Sequence, residues 1–308
     1  MSQKQTKISD FFQDINRFHI IEKRDSSKLA TLNEKPNEKY LLRYFHDPNY
    51  SFIKPFFQSI ELRASLNHPS ILPFTGFSYD GNRFVTIEPY LENGTLKKFI
   101  KDRQKGIDLL NFETIRSKII IGLASGLAYL HQNGIIHKHL DSECILLDNE
   151  MHPKIIGTEK RIFENPAIDN DVKNPFSQFS YFSPEILVNE RASCKSDVYT
   201  FSIILIELFK FEIPWNHFDR IKARIYEIIT SILDGERPDI SGNDIPEVWS
   251  NLIKQCWKKD PLERPCSIEI VQKLIDEKDK FFNDPKINQE ELDKYIESVT
   301  HGLDFSKF

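Results

Sequence analysis

The chain has 308 residues, 40 % of them hydrophobic and 28 % charged, a length for about two ordinary domains or one large two-lobed one. Only 11 are glycine, the first of them Gly76; that is about half the usual ~7 % and excludes a glycine-rich phosphate loop near the N-terminus. A net charge of −5 gives no footprint for nucleic acid or an anionic membrane. The four cysteines, Cys144, Cys194, Cys256 and Cys266, form no CxxC pair, so reduced thiols are expected. The first twelve residues lack the apolar core of a signal peptide, and the apolar runs 119–130 and 201–209 are too short to span a bilayer. A soluble cytoplasmic or nuclear protein is expected.

Residues 1–13 are polar at their start and are expected to be a disordered N-terminus. Residues 40–45 and 84–87, rich in aromatic and branched side chains, predict strands. Between them, apolar positions 56, 57, 60, 62 and 66 predict a helix, stopped by Asn67-His68-Pro69. Phe112, Ile115, Ile119, Leu123, Leu127 and Leu130 predict a long amphipathic helix over 109–131, ended by Asn133-Gly134. Short strands follow at 145–147 and 154–156, then an exposed loop over 157–182 without periodicity. Helical patterns cover 198–209, 221–233, 248–257 and 268–282. A last helix is expected from Asn288, with Glu291 completing a capping box and Leu292, Tyr295 and Ile296 as its face. No repeat is visible. The result is a mostly β part (14–88) joined by Glu88-Pro89-Tyr90-Leu91 to a helical part (92–283), with a tail at 284–308.

Several strings carry a resemblance. His137-Lys138-His139-Leu140-Asp141-Ser142-Glu143-Cys144-Ile145-Leu146-Leu147-Asp148 resembles the catalytic-loop string HRDLKPENILLD of protein kinases. Ser183-Pro184-Glu185 resembles A-P-E, Lys195-Ser196-Asp197-Val198-Tyr199 resembles KSDVY, and Cys256-Trp257 with Asp260-Pro261…Arg264-Pro265 resembles CW…DPxxRP. With Leu66-Asn67-His68-Pro69, these occur in the family's order over 14–283. The chain therefore resembles the protein kinase superfamily, tyrosine-kinase-like branch. The resemblance implies an α+β bilobal fold: a small antiparallel-sheet lobe with one main helix (14–88), a hinge (88–91) and a larger helical lobe (92–283).

Phosphoryl transfer needs positioned phosphates, a held cation, Mg²⁺ ligands and a hydroxyl-proton acceptor. Against the family pattern, the three phosphate-loop glycines are Glu22, Arg24 and Ser27. The strand Lys is Arg43, which keeps the charge in a longer, forked form. Leu41 replaces the Ala beneath adenine, and the helix Glu falls at Ser59. The loop base becomes His139, the following Lys becomes Asp141, and the two metal-ligand positions become Cys144 and Gly157. Mg²⁺ wants hard oxygen ligands, which neither of those side chains offers. The resemblance places a degenerate ATP cleft at Glu22, Arg24, Ser27, Leu29, Leu41, Arg43, Glu88, Tyr90 and Leu146. Arg63 and Thr158 stand where the family has large apolar residues, while Glu61 reads as a solvated charge. Thiol or metal chemistry at His139, Asp141 and Cys144 is the less favoured reading of that loop.

Structural positions are kept. The resemblance makes Glu185 and Arg264 a buried ion pair, Asp197 a helix carboxylate bonded to the catalytic-loop backbone, and His137 a core histidine. Ser177, Ser180 and Tyr181 are candidate phosphorylation sites on the 157–182 loop. The expectation is thus a catalytically inactive domain, a pseudokinase and not an enzyme, acting in signalling as a scaffold or allosteric partner of other proteins, such as an active kinase. No cofactor or metal is expected, nor nucleic-acid binding or membrane insertion. Two alternatives stand beside it: a weakly active or unconventional ATP-dependent Ser/Thr/Tyr kinase, and a metal-independent nucleotide-binding switch.

Overall fold

The computed structural model describes residues 7–24, 27–45, 53–107, 110–156, 179–212, 214–215, 221–242 and 244–306, with side chains omitted at 221–224. Its N-terminal lobe is a five-stranded antiparallel sheet in the order β1-β2-β3-β5-β4: β1 Phe18–Lys23, β2 Ser27–Leu32, β3 Lys35–Phe45, β4 Gly76–Tyr79 and β5 Phe84–Pro89. Alternation along β3 sends Tyr40 and Leu42 to one face, where Phe18, Ala30, Val85 and Ile87 complete a core. Leu41 and Arg43 take the other side, each side chain partly exposed. The helix α1, Ile53–Ser65, buries Phe56 and Ile60 against Phe74 and Phe77.

Residues 7–13, expected to be disordered, instead join this core. Ile8–Phe11 form a 3₁₀ turn, Phe11 lies 5.5 Å from Phe74, and the Gln13 N–H donates to Phe77 O. Ile8 and Phe11 pack against the core and supply the apolar surface that offsets the ordering entropy of this polar segment.

The helical lobe is built on α3, Phe112–Gln132, and α5, Cys194–Lys210, whose inner faces are buried along most of their lengths. Around them lie α2 Leu96–Gln104, α4 Pro184–Leu187, α6 Ile221–Asp234, α7 Glu247–Cys256, α8 Ser267–Asp276, α9 Lys278–Phe281 and α10 Gln289–Thr300. A two-stranded ribbon, β6 Ile145–Leu147 with β7 Pro153–Ile155, faces the sheet lobe. The bilobal α+β architecture that the resemblance implies is the one observed. The pattern over 268–282 is a single helix by periodicity, but the chain breaks it at Glu277 into α8 and α9. Helix α2 escaped the periodicity because its apolar positions, Leu96, Phe99 and Ile100, are too few to stand out. Among the described residues no helix is long and apolar enough to cross a membrane.

The tail is packed rather than free. Asn288 caps α10 by accepting from the Glu291 N–H at 3.2 Å, but the expected box is not completed: the Asn288 N–H donates to Thr114 Oγ1 at 2.9 Å and the Glu291 carboxylate turns to Lys118. Lys118 of α3 pairs with Glu291 at 2.7 Å, and the Val299 carbonyl meets His68 Nε2 at 2.8 Å in the loop after α1. Tyr295 of this helix lies against α3 at Gly122. A Cβ there would overlap Tyr295 Oη and stand 2.6 Å from Pro153 Cγ. Gly122→Ala is therefore expected to destabilise by about 1–3 kcal/mol through overpacking. Calorimetric melting checks it, and adding Tyr295→Phe should recover part of the loss.

Candidate functional site: the interlobe cleft

The cleft that the resemblance implies is bordered here by β1–β3, the connector after β5, and the loop from His137 to Cys144. Its most consequential feature is an ion triad. Arg43 of β3 donates from Nε to Glu88 Oε2 at 3.3 Å, and Arg63 of α1 donates to Glu88 Oε1 at 2.8 Å. Register explains the meeting. Arg43 pairs with Thr86 and Leu41 with Glu88, so Arg43 and Glu88 are diagonal neighbours on one sheet face. Arg63 reaches the same carboxylate from α1 while its guanidinium lies 4.6 Å over the Phe74 ring. The side chains of Arg63 and Glu88 are 9 % and 11 % exposed and that of Arg43 28 %. Burial alone would raise the Glu88 carboxyl, but the Arg63 and Arg43 charges outweigh it and hold the carboxyl below the usual carboxylate range.

Glu88, assigned by resemblance to the hinge, is thus the penultimate residue of β5 and points inward. Ser59, at the family's helix-Glu position, is buried and spends its hydroxyl on the Phe56 carbonyl. Arg43 is held by a carboxylate of the sheet, and α1 meets the same carboxylate through Arg63, one turn beyond Ser59. Position-by-position comparison missed this because Glu88 and Arg63 come together only through tertiary packing. The one sequence signal was a charge, Arg63, at an apolar position.

At the cleft mouth, Arg24 pairs with Glu22 at 2.9 Å and lies 5.2 Å over the Tyr90 ring, so the β1–β2 hairpin leans on the connector. Leu29 is buried, and Leu41 and Leu146 are partly buried. Leu146 packs with Leu91 against a small cluster of Leu72, Cys144 and Ile156. Ser27 begins β2 opposite Arg43.

The loop is held from below. Asp197 of α5 accepts the His137 N–H at 2.7 Å and the Lys138 N–H at 2.9 Å, and His131 Nε2 lies 3.0 Å from the same carboxylate. Lys138 takes a positive φ of 70°, which turns its N–H toward that oxygen. His137 is buried, with Nε2 at 3.0 Å from Ile156 O. His139 is half-buried in the loop. Asp141 Oδ1 accepts the N–H groups of Glu143 and Cys144, each at 2.9 Å, so this carboxylate shapes the loop. The Cys144 thiol is buried and directed at the His139 carbonyl, 3.4 Å away. Gly157 and Thr158 lie outside the described residues, as does Ser177.

Loop 157–182, expected to be exposed, is not so at its described end: Ser180 and Tyr181 are each 2 % exposed. The Tyr181 hydroxyl donates to Glu207 Oε1 at 2.6 Å and lies 3.0 Å from Ser142 Oγ. Glu185 and Arg264 form a bidentate pair at 2.6 and 2.8 Å, with the guanidinium fully buried.

Comparison with known proteins agrees with this architecture. Residues 30–274 match the family model described as protein tyrosine and serine/threonine kinase. Among curated relatives, probable serine/threonine-protein kinase roco8 of Dictyostelium discoideum is 32 % identical over 75 % of this chain and 12 % of its own length. Serine/threonine-protein kinase TNNI3K of Mus musculus is 30 % identical over 73 % of the chain and 26 % of itself. Human receptor-interacting serine/threonine-protein kinase 1 is 28 % identical over 70 % and 33 %. The chain thus corresponds to a third or less of the length of each of these three. All are named as kinases, which overturns the expectation that the chain is not an enzyme. That expectation came from an inventory of replaced side chains. The chain belongs to the protein kinase family, within its tyrosine-kinase-like branch.

Proposed function

We propose that this domain is an unconventional ATP-dependent protein kinase that transfers phosphate to Ser or Thr hydroxyls. The observation that carries this reading is Arg43, a cleft-facing cation on β3 fastened by a buried carboxylate. A held cation is what phosphoryl transfer requires at that position. Arg43 would grip phosphate oxygens with its planar fork. His139, at the family's base position, would accept the hydroxyl proton, as a neutral imidazole can near neutral pH. Glu22, Arg24, Ser27, Leu29, Leu41, Tyr90 and Leu146 would border the nucleotide. The proposal takes 14–283 as the catalytic unit, with lobes 14–88 and 92–283 and a tail at 284–308. A cytoplasmic signalling role with protein partners belongs to it.

Transfer of radiolabel from γ-labelled ATP to casein tests it. Slow incorporation on serine or threonine is expected, with His139→Ala lowering the rate by about 10²-fold or more and Arg43→Ala abolishing it. Wild-type incorporation no greater than that of the Arg43→Ala/His139→Ala double variant overturns the reading.

A further inference from the structure

The family implies Mg²⁺ beside the nucleotide, so its fit can be checked against the residues present. Of the two family ligand positions, Gly157 has no side-chain donor, and the Cys144 thiol is a soft, buried group aimed at a backbone carbonyl. Asp141 is 6 % exposed and its Oδ1 already accepts two loop N–H groups. Among the described residues no group of three or more His, Cys, Asp or Glu could hold a metal ion. Mg²⁺ needs near-octahedral oxygen ligation and gives up water reluctantly. These residues do not fit it.

The same cleft holds a cation of its own in Arg43, and the two arginines on Glu88 are arranged asymmetrically. Arg63 is the deep member and Arg43 the outer one. Among the described residues Arg43 spends only Nε on Glu88, and its terminal guanidinium nitrogens have no partner. A guanidinium fixed by a buried carboxylate loses little freedom on gripping a phosphate, and it matches two phosphate oxygens at once. An anion that brings its own Mg²⁺ would arrive with part of its charge cancelled and its oxygens occupied.

We infer that this cleft binds the free, metal-less form of a nucleoside triphosphate, with Arg43 as the phosphate contact and Glu88 and Arg63 as the residues that position it. The inference rests on the kinase reading above for the identity of the cleft, and goes beyond it in naming the form of the nucleotide. Titration calorimetry of the whole chain with ATP, in EDTA and in excess magnesium chloride, tests it. ATP should bind at least as tightly in EDTA as in magnesium. Arg43→Gln should weaken ATP binding roughly 10–100-fold in both buffers, as expected for a lost charge-assisted contact. Adenosine, lacking phosphates, should bind equally to the wild type and the variant. The melting temperature of unliganded Arg43→Gln separates lost binding from lost folding. Binding seen only with magnesium, an unchanged ATP affinity in a folded Arg43→Gln, or no ATP binding in either buffer overturns the inference. Metal-free binding without phosphate transfer would sink the kinase reading alone, and transfer with strictly magnesium-dependent binding would sink this inference alone.

Discussion

Arg264→Met is expected to destabilise the helical lobe by about 3–5 kcal/mol. At about 2–4 °C per kcal/mol for a chain of this size, the melting temperature should fall by on the order of 10 °C. The reason is what the guanidinium leaves behind. Its fork holds both oxygens of Glu185 at 2.6 and 2.8 Å, and it also donates to the carbonyls of Lys258, Lys195 and Lys259. Methionine keeps much of the volume but strands a buried carboxylate and three acceptors. Adding Glu185→Leu should recover part of the loss, because the uncompensated charge is the larger penalty. Burial raises the Glu185 carboxyl, but Arg264 more than offsets it and the net shift is below the ordinary 4.5. The pair therefore stabilises above that value, and its contribution is lost as pH falls through the lower folded pKa. A melting shift of a degree or two for Arg264→Met, or an undiminished loss in the double variant, would contradict this account.

Glu207→Gln is expected to have the opposite sign. Burial pushes the Glu207 carboxyl up to about 8, with Asp141 adding to the rise and Tyr181, Ser142 and Lys97 opposing it. The native state then holds a proton that the unfolded chain releases near 4.5, so stability falls as pH rises between about 4.5 and about 8 and levels off above that. The slope is at most ~1.4 kcal/mol per pH unit. Glutamine keeps the shape and an acceptor for the Tyr181 hydroxyl but cannot ionise. The variant should melt several degrees higher at pH 8 and lose the slope, with little change near pH 5. Denaturant unfolding across this range measures it. Parallel curves for wild type and variant would refute the assignment. The same cluster pins the end of the 157–182 segment to α5. Phosphorylation of Tyr181 would thus require this anchor to open first, because its hydroxyl is enclosed by Glu207 and Ser142.

The sequence showed most clearly those features whose residues lie close together in the chain. The α3 periodicity and the Asn288 cap each follow from contacts within a few residues, so local composition suffices to place them; the string His137–Cys144 was legible by resemblance, although Asp197, 60 residues away, holds its backbone. Tyr181 was misjudged as exposed because the 157–182 segment as a whole is rich in Glu, Asn, Asp and Pro and shows no period. Its burial depends on Glu207 and Ser142, 26 and 39 residues away. The N-terminal turn was misjudged in the same way, since the cluster of Phe56, Ile60, Phe74 and Phe77 that Phe11 covers forms only on folding.

By itself, then, the sequence determined the kinase family and the two-lobed order of strands and helices. Only the tertiary structure decided which groups meet around Arg43. Arg43 and Glu88 lie 45 residues apart, and Arg63 and Glu88 lie 25 apart. Strand register and the docking of α1 bring the three onto one carboxylate. A local string reports which side chain occupies a position, whereas the electrostatic partner of that side chain is set by packing between distant elements. For Arg43 that partner is Glu88, which no local string showed.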